Sequence, residues 1–195
     1  MTETNNTDDI DYGPLGILIG VWQGDKGMDV APEPDGSEHN PYYETITFQA
    51  AGDVSNAESQ CLVAVHYRQV VSRKSNQQVF HDETGYWMWD AETGVIMHSL
   101  TIPRAVSVLA GGTVSSSWKP GDEVVLEVHA GLDDPDWGIL QSPFMRDNAR
   151  TLEFHYKASC YNDTLSYKET TVVDIYGRRF EHSDENVLIR HVDIR

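Results

Sequence analysis

The stretch Leu15-Gly16-Ile17-Leu18-Ile19-Gly20-Val21-Trp22-Gln23-Gly24 decides the fold. It is a short apolar segment that runs through Gly20 into one tryptophan and on to Gly24, and nearly everything after it reads as β-strand. A glycine ahead of the tryptophan lets another segment approach the backbone closely, while the indole fills one end of a small barrel. Pro14 to Ile19 predicts a single helical turn before the first strand. The arrangement points to a container for an apolar ligand, and away from a surface enzyme or a nucleic-acid reader.

Strand signals follow in series. Tyr42 to Ala50 alternates, with Tyr42, Glu44, Ile46 and Phe48 on one face. Cys61 to Val71 and the aromatic-rich run Val79 to Asp90 come next, the latter leaving through Ala91-Glu92-Thr93-Gly94. Val95 to Ile102 sets Ile96, His98, Leu100 and Ile102 on one face. Further strands are expected over Ala105–Ala110, Glu123–Ala130, Leu152–Tyr161, Leu165–Tyr176 and about Glu185–Arg195. With the strand after Trp22 this makes about ten, joined by tight turns. Two segments read as loops from their prolines and turn residues, Met28 to Pro41 and roughly Asp133 to Asn148. Consecutive antiparallel strands with local links favour a ten-stranded up-and-down β-barrel, which closes its own edges; a two-sheet sandwich is the alternative. Polar residues on both faces of many strands favour the barrel, because a ligand cavity tolerates inward polar groups and a dry core does not.

Composition narrows the partners. The 195 residues fit one domain, expected over residues 12–195 behind an acidic tail at 1–11, and 39% apolar content supplies one core. A formal charge of −17, from 31 acidic against 14 basic residues, argues against nucleic acid and anionic membranes as partners. Cys61 and Cys160 stand alone, without zinc or disulfide spacing. No secretory leader or ~20-residue apolar span is visible, so a soluble, cytoplasmic protein is expected. The elbow, phosphate-loop and zinc-protease motifs are absent, and Asp133-Asp134-Pro135-Asp136 lacks the glycine of a calcium loop.

Three segments carry a resemblance: Leu18-Ile19-Gly20-Val21-Trp22-Gln23-Gly24, Tyr43-Glu44-Thr45-Ile46-Thr47-Phe48 and His81-Asp82-Glu83-Thr84-Gly85-Tyr86. Together they resemble the nitrobindin family, which includes the haem-binding domain at the C-terminus of THAP4-type proteins. The motif residues are Gly20, Trp22 and Gly24. The resemblance implies a ten-stranded barrel shaped like fatty-acid-binding proteins, a calycin-like fold. It also implies haem b held by a histidine near the last strand, with chemistry on nitric oxide or peroxynitrite at ferric iron. Here Gly24 is followed by Asp25-Lys26-Gly27, one residue longer than the family pattern. The Met28–Pro41 and Pro135–Asp147 regions look like insertions.

The candidate residues follow. His182 is the first candidate for haem iron by position, although Arg178, Arg179, Glu181, Asp184 and Glu185 around it also describe a solvated turn. His191 is the second; it shares parity with Val187 and Ile189 and faces inward only if they do. His98, among apolar neighbours of its strand face, is expected to line the pocket or contact a cofactor. Trp22 is expected as the barrel plug, Glu44 as an inward carboxylate and Gly85 as a strand kink where the wall bends or a ligand comes close. Arg68, with His66 on the same face, is a candidate partner for an anionic head group. Two functions stand side by side: a haem protein, and a non-catalytic carrier of a fatty acid or other small hydrophobic or amphipathic ligand.

Overall fold

The computed structural model describes residues 10–57, 59–114 and 118–191. A 3-10 turn, Gly13–Leu18, leads into β1 (Gly20–Glu33), β2 (Gly36–Ala57), β3 (Gln60–Arg73), β4 (Val79–Asp90), β5 (Val95–Ile102), β6 (Val106–Thr113), β7 (Val124–Gly131) and β8 (Ile139–Gln141). Helix α1 (Pro143–Asn148) then precedes β9 (Ala149–Tyr161), β10 (Thr164–Ile175) and β11 (Arg178–His191). All the strand pairings are antiparallel, β1 pairs with β11, and β5 with β6, so the sheet closes on itself. Ten strands form the ring and the three-residue β8 lies against β6 at its edge. The expected up-and-down barrel is therefore the fold, and the sandwich is not. No helix among the described residues is long and apolar enough to cross a membrane.

Both expected loops prove to be structured. Met28 to Pro41 is the outer part of the β1–β2 hairpin, paired from Met28↔Pro41 to Glu33↔Gly36. Beyond Val30, β1 has no partner on its other side among the described residues, and the pairings of β2 with β3 start only at Tyr42. Pro32 and Pro41 thus sit where one edge of each strand is free and an N–H is dispensable. The second loop holds β8 and α1, whose N-cap Ser142 accepts a hydrogen bond from the Met145 N–H at 3.3 Å. The last strand begins earlier than expected, at Arg178. The expected acidic tail falls, for residues 1–9, outside the described residues, as does the end of the last expected strand at 192–195.

Two glycines are fixed by close approach. A Cβ at Gly85 would stand 1.8 Å from the Ser99 carbonyl oxygen of β5, which is why the wall can bend there. At Gly27 the Tyr42 ring occupies the space a Cβ needs, its nearest atom 1.9 Å away. Both ladders of β1 shift register in this region, between Gly24 and Gly27 on one side and between Gln23 and Met28 on the other. The extra residue of the Gly24–Gly27 segment is absorbed as a bulge.

The interior is layered. At one end Trp22, fully buried with Leu15 and Leu18, donates its indole N–H to the Leu18 carbonyl at 2.6 Å. The Arg190 guanidinium lies 4.1 Å over that indole and donates to the Ile17 and Ile19 carbonyls, tying the 3-10 turn down as a plug. The middle layer is aromatic: Tyr67, Trp87, Phe154, Tyr156 and Tyr167, with His98 among them. The other end is hollow.

Candidate functional site

The hollow end is a cavity of about 580 Å³, opening where α1 and the β1–β2, β3–β4, β5–β6 and β10–β11 turns gather. One wall, from β5, β6, α1 and β9, is apolar: Leu100, Val106, Val108, Met145 and Phe154. The opposite wall carries Asp29 of β1, His81 and Glu83 of β4, Glu169 of β10, and His182 and Asp184 of β11. Arg73, at the end of β3, and Arg104, in the β5–β6 turn, stand at the rim. They are the arginines of the lining, and no lysine lines it among the described residues. Beyond Thr84↔Thr101 the β4–β5 ladder ends, and a side cleft lined by Phe80, Asp82, Pro103 and Arg104 opens beside the mouth.

His182 is held by two carboxylates. Its Nε2 lies 2.7 Å from Asp29 Oδ1 and 3.5 Å from Asp184 Oδ2. The second oxygen of Asp29 accepts from Asn40 Nδ2 at 3.0 Å, which fixes the carboxylate plane. Burial pulls the His182 imidazole down, but the Asp29 hydrogen bond and the charges of Asp184 and Asp29 outweigh it and hold it above its ordinary value. Asp184 is pushed up to about 6 by burial, with the charge of Asp29 adding and that of His182 opposing.

A second cluster lies below. His81 Nε2 stands 3.4 Å from Glu83, which also accepts a short hydrogen bond from the Tyr67 hydroxyl. Burial raises Glu83, yet the hydrogen bond and charge of His81 win and keep it below the usual carboxylate range. Glu169 is driven well above the usual carboxylate range by burial, with the charge of Glu83 adding. Because the Tyr67 hydroxyl donates to Glu83, its oxygen accepts from His98 Nε2 at 2.8 Å. His98 Nδ1 is left a bare lone pair, without a partner among the described residues, in a ring stacked 4.0 Å from Trp87. Desolvation pushes His98 down to about 4, so the imidazole is neutral. Beneath Tyr42, Glu44 accepts from Tyr167 at 3.0 Å and from Asn186 at 2.6 Å; burial carries it up to about 7 against those hydrogen bonds.

The candidates from the sequence are thereby sorted by place. His182 lines the cavity. Glu44 is buried and inward, under the cavity floor, and His98 sits in the aromatic layer behind Tyr67 and Phe154. Trp22 is the plug at the opposite end and does not line this cavity. Gly85 is the point where β4 meets β5. Two expectations are corrected. Arg68 points outward, 60% exposed, and pairs with Asp82 at 2.7 Å, because the inward parity of β3 belongs to Val65, Tyr67 and Gln69. His191 lies on the outer face of β11 with the exposed Val187 and Ile189. Sequence reading missed Asp29 and Glu169 altogether, took Asp184 only as part of a solvated turn, and took His81 and Glu83 only as part of a family string. A signal existed: His81, Glu83, Gly85, Trp87 and Trp89 share one parity, as do His182 and Asp184.

A closed barrel with a plugged base and one hollow, half-acidic end is a calycin-like β-barrel. The family model described as "THAP4-like, heme-binding beta-barrel domain" matches residues 11–190, so the chain belongs to that family, and the nitrobindin resemblance is borne out. Among solved structures the chain is similar to one titled "Crystal Structure of Rv2717c from M. tuberculosis", with 21% identity, 93% of this chain and 100% of that chain covered, and a TM-score of 0.69. That likeness speaks for the fold. No curated protein matches the chain.

The family implies haem, and the residues can be tested against it. A haem iron takes a histidine nitrogen free to meet it, apolar faces for the macrocycle and cations for two propionates. Here His182 Nε2 is engaged by Asp29 and Asp184, and the wall it belongs to is lined by carboxylates. The available arginines, Arg73 and Arg104, stand at the rim. The side chains around His182, as they are arranged, do not fit an iron porphyrin.

Proposed function

We propose that this chain is a non-catalytic binding barrel for a small amphipathic ligand whose head group is cationic and whose body is apolar. The observation that carries this reading is the split lining of the cavity. The apolar wall accepts a hydrocarbon body, worth roughly 25 cal/mol per Å² removed from water. The opposite wall sets Asp29, Glu83 and Asp184 against two imidazoles, with burial driving Glu169 toward its neutral form, so a positive group there finds carboxylates to meet where a fatty-acid carboxylate would be repelled by them. A cavity of about 580 Å³ is within the range of small-molecule sites.

The test uses two probes with the same chain and opposite heads, dodecylammonium and dodecanoate, titrated calorimetrically below their micelle concentrations. The ammonium is expected to bind at one site at least tenfold more tightly, about 1.4 kcal/mol. Equal or tighter binding of dodecanoate overturns the cationic head and restores the fatty-acid carrier. Hemin titration is the companion experiment: a featureless Soret region is expected. A sharp, saturable band that vanishes in His182→Ala would overturn this reading in favour of haem and make peroxynitrite assays worthwhile.

A further inference from the structure

The geometry points to a mononuclear site for a first-row divalent cation, built by Asp29, His182 and Asp184 on the acidic wall of the cavity. The inference rests on the reading above, that this wall takes positive charge, and deepens it by naming a metal ion as what the wall binds.

The scaffold is two paired strands. In the β1–β11 ladder Asp29 stands directly opposite Asp184, and His182 lies two residues along β11 on the same face. Like charges directly opposite one another in an antiparallel pair are destabilising; here the His182 ring lies against both carboxylates, and a divalent ion would take the place of the proton it shares with them. One atom from each residue, His182 Nε2 and a carboxylate oxygen from each aspartate, lies within 4.8 Å of the others. Ligands held about 2.0–2.1 Å from a tetrahedral ion stand roughly 3.3 Å apart. The contacts of Nε2, 2.7 Å to Asp29 and 3.5 Å to Asp184, bracket that spacing.

Two further observations separate this group from an ordinary acidic patch. Asp29 is 3% exposed and its other oxygen is occupied by Asn40, itself buried, an outer hydrogen bond that leaves Oδ1 as the donor atom. The remaining coordination positions face the cavity, where His81 lines the same wall and Arg73 and Arg104 are confined to the rim. One imidazole and two carboxylates suit zinc or manganese better than calcium, which prefers six to eight oxygens.

The experiment is calorimetric titration of the full chain, stripped with a chelator, with Zn²⁺ and with Mn²⁺ in separate runs at physiological ionic strength. One saturable site is expected. His182→Ala and Asp184→Asn should each weaken it by about tenfold or more, and Asn40→Ala, through Asp29, by roughly tenfold. Glu127→Gln, on the outer surface, should leave it unchanged. Because a variant can fail by misfolding, Mn²⁺ is also used as a paramagnetic reporter on the unaltered protein. It should broaden the His182 and His81 ring signals selectively and spare His155 on the outer wall. No saturable binding of either ion, or equal binding by the wild type and His182→Ala, overturns the inference. If the metals fail while dodecylammonium binds, the metal site falls and the amphipathic reading stands. If the metal binds and dodecylammonium does not, the amphipathic reading falls and the metal site stands.

Discussion

Replacing Glu44 by glutamine isolates the energetic consequence of burying a carboxylate under the cavity floor. Glu44 is 3% exposed, and burial lifts its pKa from 4.5 to about 7 although Asn186 and Tyr167 both donate to it. A carboxyl whose folded pKa exceeds its unfolded one binds its proton more tightly in the fold. Its contribution to stability is then fully present below pH 4.5 and is lost as pH rises through about 7. At about 1.4 kcal/mol per pH unit, the loss amounts to roughly 3 kcal/mol. Glutamine copies the protonated acid, keeping an oxygen for Asn186 and Tyr167 without the charge. Urea unfolding followed by tryptophan fluorescence should therefore give similar stabilities for both proteins near pH 4.5. By pH 8 the variant should lead by roughly 3 kcal/mol, or about 6–12 °C in Tm for a chain of this size. Parallel pH profiles, with a constant offset between the two proteins, would refute the argument that Glu44 is buried as a costly charge.

Three more outcomes follow from the geometry. In a histidine-ring NMR titration His98 should stay neutral until about pH 4, while His81 and His182 hold their protons above the ordinary histidine range. Asp29→Asn should return His182 toward the ordinary value, and an unmoved His182 would remove Asp29 as its partner. Gly85→Ala forces a methyl to within 1.8 Å of the Ser99 carbonyl, so the β4–β5 pair must part. The expected cost is about 3 kcal/mol or more, and a melt unchanged from wild type would contradict the close approach. Trp22→Phe keeps the apolar plug but loses the indole bond to Leu18, at a cost of roughly 1–2 kcal/mol. Dodecylammonium affinity should be unaffected, because the plug and the cavity lie at opposite ends.

Much of the barrel was legible because strand parity is local. Tyr42, Glu44, Ile46 and Phe48 could be assigned to one face from nine residues of sequence, and all four are buried. The Trp22 plug was legible for the same reason, from one glycine and one indole. What failed was information held in pairings across the chain. Pro32 and Pro41 suggested a loop because their neighbours on the open hairpin edge cannot be seen in sequence. The surroundings of His182 read as a solvated turn because its neighbours in sequence are charged. Alternation sends Glu181 and Glu185 outward, while Asp184 turns inward and Asp29 arrives from 153 residues away through the β1–β11 register. Face assignments without a reference side also misled. Val187, Ile189 and His191 formed a consistent face, but it was the outer one.

The plug tied down by Arg190 makes the barrel blind-ended, and this shapes the traffic of any occupant. The mouth, beside Met145 of α1, and the side cleft, beside Pro103 and Arg104, open at the same end, so arrival and departure share that end of the barrel. A change confined to that gate, such as stiffening α1, would alter association and dissociation rates by the same factor and leave the equilibrium constant untouched. Affinity is set by the walls and residence time by the door, and the two can be tuned independently.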